Sequence, residues 1–564
     1  MQLEFIRHAA AVMAGICSVV SCVEINEELG KEYIPTSHQY NVHTDTIYLK
    51  NILMKQTDSL SGYSSSRITV GAVKDPVFGL TVRSSAFTLI PVDPDMDFGD
   101  KPRCTQFHFT AVRDTLSWPE ESQEHIIQNI KVYRLTEEIG EEAAYINCSD
   151  KLHYDAADPI ARCTYFGQDS LSFDMKTDFG DEYIKAIQDM EDIGDVEDYS
   201  KILHGIYLKA DAPIADGGRI NMFELPIQVA DSYYISGNYA ELKFRSDYGH
   251  RKDVDTSFLF FFGAQAMQVY EDTESIYVTP DQTAQFALNL SDSDSRSWAP
   301  DEDGAMPAGK TFYIEGGGGM KPVITAKEIK ESLMNLFETE GVDAEEVIIH
   351  KATVVLPYDY EGTGYQKMFL YPDRLSPTCR LSLKDEDGES YVNFAGLTDA
   401  SVESENQGDI NRSLNCYAPD ISHHVQEIIR RADETNYKDY DIWMLTMANE
   451  IVETDSGNNS ALSDYYQNLA YYDYYNSMYN PYGYGGYYGG YYGYDSYYGM
   501  SNYYNYMLAA QYASSQNSST TTMSIQLDKD RYYRGVLYGP NENPSTREEK
   551  MKAPRLIVTY STVK

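Results

Sequence analysis

The first residue in this sequence placed to do chemistry is a thiol. Val19, Val20 and Ser21 precede Cys22 at the end of the apolar stretch Ala9–Val20, and Arg7 lies ahead of that stretch. A short apolar segment closed by a small residue and a cysteine suits one reaction. Diacylglycerol alkylates the sulfur, the Ser21–Cys22 bond is cut, and the new amine is acylated by a chain such as palmitate. The apolar run covers 12 residues, short of the roughly 20 that a spanning helix needs. Residues 1–21 are therefore expected to be a lipoprotein signal peptide, with cleavage after Ser21 and lipidation at Cys22. Several acyl chains, each gaining about 0.8 kcal/mol per buried methylene, would anchor the chain to a membrane.

The other candidate groups fall short of a reactive pattern. Asp93, Asp95 and Asp97 in "DPDMDFGD" are spaced like calcium ligands, but the loop has glycine at its seventh position and Cys104 at its twelfth. A calcium loop of the EF-hand kind needs glycine at six and a bidentate glutamate at twelve. Asp292, Asp294, Asp301 and Asp303 form a similar acidic stretch. The cofactor expectation is none, with adventitious calcium at most. "GGGGMKP" puts Met320, Lys321 and Pro322 where a phosphate loop needs Gly-Lys-Ser/Thr, so Gly316–Gly319 reads as a tight bend where side chains would clash. His423 and His424 are adjacent and point to different sides of a helix, so they cannot share a metal in the i, i+4 manner. There is no His-Glu-x-x-His and no Gly-x-Ser-x-Gly. Beyond Cys17 and Cys22, the cysteines are Cys104, Cys148, Cys163, Cys379 and Cys416. This odd set lacks Cys-x-x-Cys and makes neither a disulfide framework nor a zinc site. Cys148 and Cys163 read equally as a pair or as buried thiols. No motif points to an enzyme.

The elements that would carry these groups are strands. From Tyr40 onward, runs such as "SRITVGAV", "LTVRSSAFTLI", "TQFHFTAV", "AELKFRS", "EVIIHKATVVLPY" and "PRLIVTYS" are split by Gly, Pro, Asp and Ser. Asp387-Gly388 suits a tight hairpin. Helices are few. The best is "TAKEIKESLMNLFETEG", with a capping-box pattern at Thr325 and Glu328, an apolar face of Ile329, Leu333, Leu336 and Phe337, and Gly341 to end it. Weaker ones begin at Asp181 and Ser422. The fold class is thus mainly β: two or more β-sandwich-like domains, a few short helices and a Tyr/Gly-rich low-complexity insertion. The expected organisation is a signal at 1–21 and an acidic tether at 22–39, then a β-rich domain at 40–300. A second β-sandwich domain takes 305–453 plus 520–564, interrupted by the insertion at 454–519.

That insertion is the compositional anomaly. Of 50 tyrosines, 20 fall within 465–512, and no Lys, Arg or Glu occurs from Thr454 to Asp528. Dense glycine is costly to order and the tract has few aliphatic residues to bury. Tyr487, Tyr488, Tyr491, Tyr492, Tyr497 and Tyr498 are its candidate binding residues, because phenol rings stack on sugars, on other rings and on partner surfaces. The whole chain carries a formal charge of −42 and shows no basic cluster, which argues against nucleic acid as a partner.

"SSRITVGAVKDPVFGLTVRSSAFTLI", "IQNIKVYRL", "FLFFFGAQAMQVY", "FYIEGGGGMKPVI", "IIHKATVVLPYDY" and "APRLIVTYS" together resemble the blocks of a lipoprotein family of the Bacteroidota, the domain of unknown function numbered 4270. "DPVFG", with Asp75, Pro76, Phe78 and Gly79, is the most specific block. In physical terms it reads as a turn in which proline fixes φ and glycine takes positive φ. The resemblance implies an outer-membrane lipoprotein and brings no catalytic residues. Glu24, Glu27 and Glu28 resemble the acidic export signal of such proteins, which favours the cell surface over the periplasmic face. The expected function is a non-catalytic binding or scaffolding component, held to the membrane by its N-terminal lipid and partnered by an outer-membrane β-barrel protein. The alternatives are a carbohydrate-binding lipoprotein that meets a surface glycan with aromatic platforms, and a glycan hydrolase.

Overall fold

The computed structural model describes residues 40–563, apart from 57–59, 65, 93–95, 115–125, 140–146, 191–195, 226–227, 231–233, 264–286, 299–303, 360–369, 385–389, 399–404, 455–519 and 529. The described chain is mainly β, with several sheets and five short helices. Its apolar residues gather into two large cores. One draws on residues from Ile68 to Ala287, the other on residues from Leu49 to Tyr560.

The first core belongs to a twelve-stranded sheet organised around the strand Gly79–Pro91. The early half of this strand pairs with Arg67–Asp75 on one edge and Ala287–Ser293 on the other. Its later half pairs with Ile206–Ala210 and Arg251–Gly263. Alternation along Asp100–Val112, Tyr239–Tyr248 and Arg251–Gly263 sends Phe107, Phe109, Leu242, Phe260 and Phe262 inward. There they meet Phe87 from the central strand, with ring centroids 4.8 Å apart for both Phe87–Phe262 and Phe109–Phe262. The helix Thr177–Asp189 closes this core with Phe179, Tyr183, Ile184 and Ile187.

The second core lies among the strands Tyr40–Tyr48, Ile348–Pro357 and Arg555–Val563 of one sheet and Leu53–Lys55, Lys321–Ile324, Arg374–Lys384 and Ile442–Thr454 of another. Helices Ala326–Glu340 and Ser422–Arg431 add Ile329, Leu333, Phe337, Val425 and Ile428. Residues 40–55 correct the boundary expected from the sequence, which assigned them to the first domain. Tyr40–Tyr48 pairs along its length with Arg555–Val563, and Leu53–Lys55 pairs with Lys321–Val323. Linear order misled here because antiparallel pairing is indifferent to separation in sequence.

The three expected helices are found at Thr177–Asp189, Ala326–Glu340 and Ser422–Arg431. At the second, Thr325 accepts a hydrogen bond from the Glu328 N–H and Gly341 ends the helix at φ 69°. The reciprocal half of the capping box differs. The Glu328 carboxylate accepts instead from the backbone N–H groups of Lys50 and Asn51, and so ties the early segment to the helix start. Asp387-Gly388 lies outside the described residues, but the strands on either side pair as a hairpin, Lys384 opposite Ser390. No described helix is long and apolar enough to cross a membrane.

Candidate functional site

Three neighbouring strands of the first unit carry polar residues on one face. Thr81, Arg83 and Ser85 alternate along Gly79–Pro91; Asn289, Ser291 and Ser293 do the same along Ala287–Ser293; Arg67, Thr69 and Asp75 lie on Arg67–Asp75. Most of these side chains are buried, because two segments of the second unit cover them. One is the turn Glu315–Lys321. The other is Asp528–Arg534, which follows the strand Thr520–Leu527.

The cover segments supply hydrogen-bond partners to Ser64, Thr81, Arg83, Asn289, Ser293 and Ser295. Glu315 accepts hydrogen bonds from Thr81 Oγ1 at 3.0 Å, from Ser293 Oγ at 2.7 Å and from Ser295 Oγ. Asp530 accepts from Ser64 Oγ at 3.0 Å and Asn289 Nδ2 at 2.7 Å, and lies 3.5 Å from Arg67 Nη1. Arg67 also donates to Asp114 at 2.7 Å. Arg83 is 1% exposed and donates to the Arg531 carbonyl at 3.1 Å, in the field of Asp528, Glu315 and Asp530. Arg534 pairs with Asp75 at 2.6 Å and stacks over Tyr532 at 4.9 Å. Charges removed from water this thoroughly are tolerated only when paired and hydrogen-bonded.

The glycine bend is what lets the layers meet. A Cβ on Gly317 would lie 2.2 Å from Arg83 Nη1, and one on Gly318 would lie 2.3 Å from the Ser291 carbonyl oxygen. Lys321 leaves this bend and donates to the carbonyls of Glu315 at 2.5 Å and Gly317 at 2.8 Å. Burial pushes its ammonium down to about 7, against the opposing pull of Glu315. Burial likewise holds Asp528 above the usual carboxylate range, although Arg531 draws it down. Arg83, Lys321, Asn289, Ser291 and Asp528 line a cavity of about 10 Å³. That is room for one water molecule at most and is too small for an organic substrate.

No family model, curated protein or solved structure matches this chain.

The sequence candidates are distributed as follows. Asp75–Gly79 is a three-residue connection between paired strands, with Asp75 opposite Gly79. Asp75 Oδ1 accepts from the N–H groups of Val77 and Phe78 at 2.8 and 3.1 Å, and Gly79 has φ 79°. Phe78 is buried edge-on against Tyr313 at 5.6 Å. The block is therefore a turn and a contact between the two units at once, since its aspartate also holds Arg534. Ser21, Cys22 and the six tract tyrosines (Tyr487, Tyr488, Tyr491, Tyr492, Tyr497 and Tyr498) lie outside the described residues, as do Asp93, Asp95, Asp301 and Asp303. Asp97 caps a local turn at Gly99, Asp292 accepts from Ser149, and Asp294 accepts from the Leu80 N–H. Among the described residues no group of three acidic, His or Cys side chains could hold a metal. His424 is buried and donates to the Tyr440 carbonyl at 2.7 Å, and burial pushes its pKa down to about 4. Cys148 and Cys163 are not joined, and the Cys163 thiol is raised by burial to about 12.

Sequence reading missed the junction of Arg83, Glu315, Lys321, Asp528 and Asp530. Two signals were present. "TVRSSA" inserts an arginine and two serines into an otherwise apolar strand, and "DKDRYYR" is a charged run that starts where a long stretch without Lys, Arg or Glu stops.

The structure also fixes how the tyrosine-rich segment is attached. Ile442–Thr454 and Thr520–Leu527 are paired from Met447–Leu527 out to Thr454–Thr520. The segment 455–519 therefore leaves and returns at adjoining positions of one hairpin. The base of that hairpin runs straight into Asp528 and the buried junction.

Proposed function

We propose that this chain is a membrane-tethered binding component that presents its tyrosine-rich segment to a partner protein of the bacterial outer membrane. The reading joins a lipid on Cys22 with the resemblance to the Bacteroidota lipoprotein family, and places the protein on the outer membrane. The observation that carries it is the Thr454–Thr520 pairing. A hairpin whose root is tied into buried ion pairs can bear a long aromatic excursion without loading the cores. Rooting the segment on sheet structure also reduces the ordering cost of capture, because its ends are already fixed. Phenol rings supply large contact area with few rotatable bonds.

The test uses the full chain purified from detergent-solubilised membrane. A variant with 455–519 replaced by a short Gly-Ser connection should keep the parent's melting temperature within a few degrees and lose the co-purifying membrane proteins. Retention of the same partners by this variant would refute display by the segment. Intact mass of the mature N-terminus checks the tether: an unmodified Cys22 refutes it separately.

A further inference from the structure

On the outer face of the first unit, away from the junction, three side chains meet in a relay. The strands Asp100–Val112 and Ser170–Met175 are antiparallel neighbours, with His108 opposite Asp174 and Thr110 opposite Ser172. Ser172 and Asp174 are two residues apart and share a face. His108 reaches both. Its Nδ1 lies 2.7 Å from Asp174 Oδ1, and its Nε2 lies 3.0 Å from Ser172 Oγ. A carboxylate can only accept, so Nδ1 carries a proton; in the neutral imidazole Nε2 then accepts and Ser172 Oγ donates. Gln106 Nε2 donates to the same aspartate oxygen at 2.9 Å and fixes it from the other side.

We propose that Ser172 is a nucleophile, with His108 as its general base and Asp174 as the positioning residue, and that it takes acyl groups from carboxylic esters. Geometry and roles define such a relay, not sequence order. Asp174 holds the imidazole in the tautomer whose Nε2 faces the hydroxyl. As Ser172 Oγ bonds to the ester carbonyl carbon, its proton passes to His108 Nε2. The carbon–alkoxide bond then breaks, and the leaving alkoxide takes that proton. Water attacks the acyl-serine in the second half and gives a proton to His108; the bond between the carbonyl carbon and Oγ then breaks, His108 passes that proton to Ser172 Oγ, and the carboxylic acid leaves. Ser172 is exposed and His108 keeps 30% of its side-chain surface, so the site is open sheet and not a cleft. The substrate class is accordingly an activated or polymer-borne ester that approaches a flat surface, with Glu241 opposite His108 on the next strand and Lys243 paired to Glu241 at 3.2 Å.

The test is covalent labelling of the folded full chain with a fluorophosphonate, in which the Oγ–P bond forms and fluoride leaves, with the modified peptide read by mass spectrometry. Ser172 should label faster than other surface serines. His108→Gln should slow that labelling by roughly 100-fold or more, the usual worth of a general base. Asp174→Asn should slow it at least tenfold with an unchanged melting temperature, because an amide can donate to Nδ1 and reverse the tautomer. Ser172→Ala should lose the label and keep the fold. Absence of label at Ser172, label only after denaturation, or a rate indifferent to His108→Gln would each overturn the proposal.

Discussion

Two single groups make the stability of this protein depend on pH in readable ways. Lys321 has a folded pKa of about 7, lowered by burial, against roughly 10.4 in an unfolded chain. Between those values the unfolded state binds more protons, so stability rises with pH. Cys104, Cys163 and Cys379, raised by burial to about 12, act in the opposite direction once the pH passes the unfolded thiol value near ~8.5. The lysine's contribution is therefore cleanest between about pH 7 and 8.5, where it amounts to about 2 kcal/mol. Lys321→Met should remove that rise while lowering stability at pH 8.5, since its bonds to Glu315 and Gly317 are gone; urea midpoints at the two pH values check it. His424, held down at about 4 by burial, should lose about 3 kcal/mol between pH 6.5 and 4, where the unfolded chain protonates first. His424→Gln keeps a donor for Tyr440 and should flatten that acid limb relative to the parent in the same urea assay.

Among the elements, the helix Ala326–Glu340 shows what sequence made legible. Its cap, apolar face and terminal glycine follow from side-chain chemistry within three or four residues, and the structure places Thr325, Ile329, Leu333, Phe337 and Gly341 accordingly. Thr325→Ala should cost about 1 kcal/mol, measurable as a shift in denaturant midpoint without a change in slope. Strand positions were legible for the same local reason: alternation in "TQFHFTAV" and "AELKFRS" marks an inward face. What was not legible was non-local pairing. Glu328 serves the backbone of Lys50 and Asn51, 277 residues away in the case of Asn51, and Asp530 serves Ser64, 466 residues away. No window of sequence contains both partners. The relay at His108 was hidden likewise, since Ser172 lies 64 residues from its base and only strand register brings them together.

At the scale of the molecule, the acidic excess does not come from the buried junction. The junction sets Arg67, Arg83, Lys321, Arg531 and Arg534 against Asp75, Asp114, Glu315, Asp528 and Asp530, and so adds little net charge. Breaking that balance on one side should be expensive. Arg83→Met removes one of the buried positive charges beside Glu315 and Asp528, leaving Lys321 and Arg531 to offset them, and should destabilise the chain by about 3–5 kcal/mol, read by calorimetry. The second unit also depends on the start of the described chain. A fragment of residues 305–564 should fail to give a cooperative melt, and adding residues 40–56 as a separate peptide should restore one. Tyr40–Tyr48 faces Arg555–Val563 with some 515 residues between partners. At about 5–20 residues per second, synthesis of that interval occupies roughly half a minute to a little under two minutes. For that time the early strand has no mate and exposes a bare hydrogen-bonding edge, so a chaperone or an export factor that masks such edges has a defined target and a defined interval in which to act.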